Sequence, residues 1–261
     1  MTSDDDMKGR AMAGALIAGG WGLFAGAALL AGAAAGSLLR VSAQWIALIM
    51  AFGSGVLISA VSFELVQEAY EQGGALPTAG GALAGATVYS LANVVLARHG
   101  ARHRKRSGTR QPSEPQRPGS GNAIALGALL DGIPESVVIG TSLLGGGSVG
   151  MATVAAVFIS NVPEGMASAA GMKRAGRSRT YVFTLWSAVA VVSGLAALAG
   201  YAFLGGASGT WMAAITAVAA GAILAMVADT MIPEAFEEAH LLAGLTTVLG
   251  FLTAFVLSHT V

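Results

Sequence analysis

Four acidic residues, Asp131, Glu135, Glu164 and Asp229, stand inside apolar runs of this 261-residue chain. An ionisable side chain at membrane depth is costly and normally faces a protein interior, where it serves a pathway or a site. Asp131 and Glu135 are four residues apart and share one helix face; Asn161 and Glu164 are three apart and share another. If the two helices run antiparallel, Asp131 and Glu135 lie roughly 13 and 20 Å below one surface and Glu164 roughly 22 Å below the other, at 1.5 Å per residue. Three carboxylates and the Asn161 amide oxygen can then converge near the midplane. Carboxylates crowded in a low dielectric repel one another and take up protons, whereas a divalent cation neutralises them. A cation site is therefore expected, with a proton relay as its rival. A purely structural polar network is the third option, disfavoured by the expectation that no Lys or Arg stands at membrane depth as counter-ion.

Proline precedes three of the acids, in Ile-Pro-Glu at 133–135, Val-Pro-Glu at 162–164 and Ile-Pro-Glu at 232–234. Lacking an N–H, Pro134 releases the carbonyl of Leu130 and Pro163 that of Ile159. A freed carbonyl in a protein-lined cavity can coordinate a cation or a water. Glu64 and Glu68, one turn apart, suit an acidic entrance, and Asp229 and Glu234 an exit. Glu71 extends that entrance, and Glu237, Glu238 and His240 that exit; a solvated helix end is the alternative reading for Glu68 and Glu71, and plain surface charge for Glu237 and Glu238.

The elements that must carry these residues follow from composition. The chain is 54% hydrophobic and only 11% charged, against about 25% charged in soluble domains, so a water-soluble globule is excluded. The 37 glycines fall among Ala, Leu and Val, as in close-packed membrane helices. There is no Cys, so disulfides, thiolate metal sites and thiol catalysis are excluded, and a metal must be held by oxygen or nitrogen. The four histidines, His99, His103, His240 and His259, lie in loops or at helix ends, with no His-Glu-x-x-His; an intramembrane enzyme is not expected.

Eight runs are long and apolar enough to span a bilayer, at 11–36, 42–70, 74–97, 122–145, 149–172, 180–204, 211–235 and 241–260. The expected fold class is all-α, a polytopic membrane protein forming one transport domain over residues 1–261. The first run lacks a clear cleavage site and reads as a retained helix. With eight helices, Arg40, the seven basic residues from Arg98 to Arg117, and Lys173, Arg174, Arg177 and Arg179 share one face; only Lys8 and Arg10 lie opposite. Enrichment of Lys and Arg makes that face cytoplasmic and sends both termini outside, in an inner or plasma membrane. Residues at about 99–121, rich in Arg, Pro, Gly and Ser, read as a disordered cytoplasmic loop. Topology accounts for its charge more cheaply than nucleic acid or anionic lipid, and His99 and His103 are expected to be solvated.

These residues resemble the ZIP family of divalent-metal transporters, particularly its bacterial branch. The family's fourth and fifth helices carry a pattern like His-Asn-x-Pro-Glu-Gly, and here stand DGIPES at 131–136 and SNVPEG at 160–165. The seventh-helix stretch AGAILAMVADTMIPEA, the eight helices and the variable loop after the third extend the likeness over nearly the whole chain. The resemblance implies a permease carrying a divalent metal, zinc first, into the cytoplasm, by movement of a helix group that includes the fourth and fifth helices. A homodimer is a further expectation. Asp131 stands where the family usually has His, and Gly132 where Asn is common. Ser160 and Asn161 replace a polar or acidic pair. No Asp or Glu occurs between Glu164 and Asp229, so a second metal site looks dismantled. The expected remainder is one oxygen-rich site of Asp131, Glu135 and Glu164, with Asn161 and Ser160 as additions. Carboxylates without imidazole bring Mn²⁺, Fe²⁺ or Co²⁺ into range beside Zn²⁺.

Overall fold

A computed structural model describes residues 2–39, 41–144, 150–205 and 207–260, with side chains from residue 9 onward. Arg40, both chain ends at Met1 and Val261, and the expected junction of the fourth and fifth helices at 145–149 lie outside the described residues, as does the Lys8 side chain. Eight long helices follow one another: α1 (Thr2–Leu38), α2 (Ala43–Gly73), α3 (Ala75–Arg98), α4 (Ser120–Thr141), α5 (Met151–Arg174), α6 (Arg179–Leu204), α7 (Gly209–Ala239) and α8 (Leu242–Thr260). No strand occurs among the described residues.

Seven of these helices are long and apolar enough to cross a membrane, which makes this a multi-pass helical membrane protein. The eighth, α5, has the length but is more polar. Its Ser160, Asn161, Glu164 and Ser168 are all buried within the protein, so its polarity does not meet lipid.

Local chemistry marks the helix ends. The Ser42 hydroxyl accepts from the Trp45 N–H at 3.3 Å and the Ser178 hydroxyl from that of Tyr181 at 3.1 Å, each satisfying a donor that the first turn leaves free. Gly74, with φ of 76°, turns the chain from α2 into α3 in a conformation that costs glycine little.

Two helices contain a π-helical turn, Val61–Val66 in α2 and Val227–Met231 in α7. The second has a visible cause: Pro233 cannot donate to the carbonyl of Asp229, and the turn before it widens. No proline accompanies the first. Glu64 and Asp229 sit in these two turns. Pro134 and Pro163, by contrast, lie inside helices that continue through them.

Helix packing divides the bundle. One group joins α1 to α5 and α6, and α4 to α6; the other joins α3 to α7 and α8 to α2. The groups meet where α2 packs on α5 and α4 on α7. In lipid there is little hydrophobic drive for such contacts, so close approach of small residues replaces it.

Candidate functional site

Asp131 and Glu135 on α4 and Glu164 on α5 are 3%, 1% and 4% exposed, so all three are interior. Glu164 is held by a backbone contact. Its neighbour Gly165 lies on the Leu29 carbonyl of α1, and Gly32 of α1 lies on the Val162 carbonyl of α5; a Cβ at either would overlap that oxygen. The two helices can meet this closely only through glycine.

The counter-charge comes from the segment between α3 and α4. Arg104 donates from Nε to Asp131 Oδ2 at 2.9 Å and from Nη2 to Asp131 Oδ1 at 2.8 Å, a forked pair. Its remaining donors reach the Tyr89 hydroxyl at 2.8 Å and Asn93 Oδ1 at 2.7 Å, and the Tyr89 hydroxyl itself donates to Asp131 Oδ1 at 2.6 Å. Lys105 Nζ lies 2.8 Å from Glu164 and 3.4 Å from Asp131. Burial works against the Arg104 charge, but the facing Asp131 outweighs it and holds the guanidinium above its usual range.

Two sequence expectations are corrected here. Buried basic counter-ions do exist, and residues 101–111 are not a solvated loop. Ala101, Arg104, Lys105, Ser107 and Gln111 are buried. The Ser107 N–H donates to Glu234 at 2.8 Å and Arg106 pairs with Glu234 at 3.0 Å and with Glu237. Gln111 Nε2 donates to the carbonyls of Arg104, Arg106 and Ser168. Small residues make the bed: a Cβ at Gly171 would strike the Arg106 carbonyl and the Gln111 amide, and one at Gly127 the Arg104 side chain. The segment thus ties α4 and α5 of one helix group to α3 and α7 of the other.

The remaining expected site residues divide. Glu135 lies within electrostatic reach of Glu164, Lys105 and Asp131, and its Oε1 is buried without a hydrogen-bond partner. Asn161 lines the same small cavity as Asp131, Glu164, Arg104 and Lys105, while its amide donates to the Ala25 carbonyl at 2.9 Å. Ser160 is buried but donates to the Val157 carbonyl of its own helix and does not line that cavity. The cavity holds about 10 Å³, room for about one water. Among the described residues, no group of three or more His, Asp or Glu side chains is placed to hold a metal ion in this arrangement.

The pathway residues are spread out. Glu64 is half-buried and accepts from the Thr153 hydroxyl of α5. Glu68 is exposed and accepts from Gln72 at 2.8 Å; Asp229 is exposed and accepts from Ser90 at 3.3 Å. Glu234 is buried but is engaged by the loop. Glu237, read either as part of the exit or as plain surface charge, is ion-paired with Arg106 and Arg110.

Sequence reasoning missed Arg104, Lys105, Tyr89 and Asn93. A signal existed for the last two: Tyr89 and Asn93, four apart, put a polar stripe on an otherwise apolar helix. Nothing separates Arg104 and Lys105 from their basic neighbours. No protein-family model matches the chain, and no curated protein matches it.

Proposed function

We propose that this protein is a divalent-cation permease, with zinc as the first candidate substrate, and that the structure represents a state closed by its own loop. The observation that carries the reading is the pair of buried positive charges on Asp131 and Glu164. Two proline-marked helices present carboxylates that are stable only with cationic company, and here the company is a tethered Arg and Lys. A doubly charged ion supplies the same neutralisation once the loop withdraws. Of the three carboxylates, Glu135 is the one with no basic residue bonded to it among the described residues.

The resemblance to ZIP transporters at DGIPES and SNVPEG supports the same reading. So does the division of the bundle into two helix groups, with α4 and α5 in one. On this reading α5 is an eighth span, the basic face is cytoplasmic and both termini are outside. Metal enters past Glu64 and Glu68, occupies Asp131, Glu135 and Glu164, and leaves past Glu234 and Asp229.

The experiment is uptake of Zn²⁺ and Mn²⁺ by the purified protein in liposomes, with Glu135→Ala and Glu164→Ala as tests. Loss of uptake in both, with normal expression, is expected. Near-normal uptake by both variants would sink the midplane site. A second reading is favoured by the saturation of Asp131 and Glu164: the ion pairs are permanent, and the protein senses a cation or carries protons without moving metal. Metal binding without uptake, or proton flux alone, would select it.

A further inference from the structure

On the outer side of the same loop, away from the buried pairs, an open cavity of about 540 Å³ is lined by Arg98, Arg102, His103, Arg110 and Arg117, with no acidic residue in its wall. Among the described residues, Arg110 alone of these has an acidic partner, Glu237 at 2.6 Å. Arg117 donates to the Arg98 carbonyl. Among the described residues, Arg98 and Arg102 have no carboxylate paired with them, and His103 Nδ1 is buried without a hydrogen-bond partner. Four guanidiniums around one cavity repel each other unless an anion joins them. Burial, with the nearby Arg106, Arg102 and Arg110, pushes the His103 imidazole below its usual range, as uncompensated positive charge should.

The rest of the wall says which anion. Val94 and Ala97 of α3, with Gly100 and Pro112, complete the lining, and Val88, Leu91 and Val95, all exposed, continue in a stripe down that helix at spacings of three and four. Guanidiniums match phosphate by paired N–H donors, while the stripe below them is a surface for hydrocarbon. The wall holds no Phe, Tyr or Trp, so the row of large aromatic rings on which single-stranded nucleic acid stacks successive bases is missing.

We propose that this cavity binds the phosphate headgroup of an anionic phospholipid, with an acyl chain lying along α3. The short turn Ala101–His103, which carries Arg102 and His103 of the cavity wall, runs directly into Arg104 and Lys105. A bound headgroup relieves repulsion within the turn that delivers those two residues to the carboxylates. The inference rests on the loop and α3 alone, independently of whether the protein moves metal.

The test is native mass spectrometry of the full chain in detergent with equal amounts of phosphatidylglycerol and phosphatidylcholine. The parent should retain phosphatidylglycerol preferentially by about tenfold or more, from the attraction of several Arg near one headgroup. R98Q/R102Q should erase the preference. R179Q, which removes an exposed charge outside the cavity, should keep it. If the double variant does not fold, R117Q replaces it and should reduce the preference several-fold. No preference in the parent, or equal loss in R179Q, overturns the proposal. So does occupancy by inorganic phosphate or by an oligonucleotide under conditions where phosphatidylglycerol is not retained.

Discussion

Arg104 and Asp131 face each other across two parallel hydrogen bonds of 2.9 and 2.8 Å, with the arginine 3% exposed and the aspartate equally enclosed. One comes from a polar connecting segment and the other from the interior of an apolar helix. Their pairing brings the segment after α3 into the bundle, and the predictions follow from what that contact holds together.

Arg104→Gln removes a buried charge from a paired carboxylate, a change that typically costs about 3–5 kcal/mol. The expected result is a clearly lower thermal midpoint in detergent. Arg104→Lys should recover only part of it, because a lysine keeps the charge but not the fork. An unchanged midpoint in Arg104→Gln would mean that the pair contributes nothing to the folded state.

Lys105→Met removes a cation that an incoming metal must displace from Asp131 and Glu164. Apparent Zn²⁺ affinity should rise by about tenfold or more, in line with repulsion between charges a few ångströms apart at partly buried sites. Without metal the same variant should melt earlier, since two carboxylates lose their partner. Titration calorimetry and melting with and without Zn²⁺ measure both; a weaker affinity for zinc would argue that Lys105 does not compete.

Gly171→Leu should lift the loop from α5, because any Cβ there meets the Arg106 carbonyl. Ser107 is fully buried, so a cysteine introduced at 107 should react slowly with a water-soluble maleimide and much faster when Gly171→Leu is added. Equal rates would show that the loop does not depend on that glycine.

Orientation is tested at a different position. Thr109 is exposed and is a sounder reporter than the buried Ser107. In this Cys-free chain, a cysteine at 109 should resist an impermeant reagent in intact cells while one at position 3 is labelled. The reverse pattern would invert the topology.

Glu114 gives a pH signature outside the membrane. The Gly119 N–H at 2.5 Å, Arg177 at 2.9 Å and the Gly121 N–H at 3.2 Å hold its carboxyl below the usual range. A depressed pKa means that its contribution is complete above the ordinary carboxyl value and is lost as pH falls through the lowered one. Amide exchange at Gly119 and Gly121, corrected for intrinsic rate, should lose protection in that acidic window, and Glu114→Gln should show weak protection at every pH. Protection in the parent that does not change with pH would exclude this clamp.

Much of the architecture was legible in the residues themselves. Runs of about 20 apolar residues announce helices regardless of neighbours; the eight long helices lie within a few residues of the expected runs at most ends, and seven of them, all but α5, have the apolarity of a membrane span. The burial of Asp131, Glu135 and Glu164 was legible too, since lipid leaves an ionised carboxylate nowhere else to go. What partners those carboxylates take was not. A hydropathy pattern is local, whereas the Arg104–Asp131 contact joins residues 27 positions apart through a turn whose path depends on the missing side chains of Gly127 and Gly171. Basic residues in a polar stretch read alike whether they face water or a buried acid, and only the packed structure distinguishes Arg104 and Lys105 from Arg98 and Arg102. The sequence by itself determined an all-helical membrane bundle with acids inside; tertiary structure decided that the chain answers those acids with its own cations, because the charge of a buried group must be met by whatever the fold brings within a few ångströms.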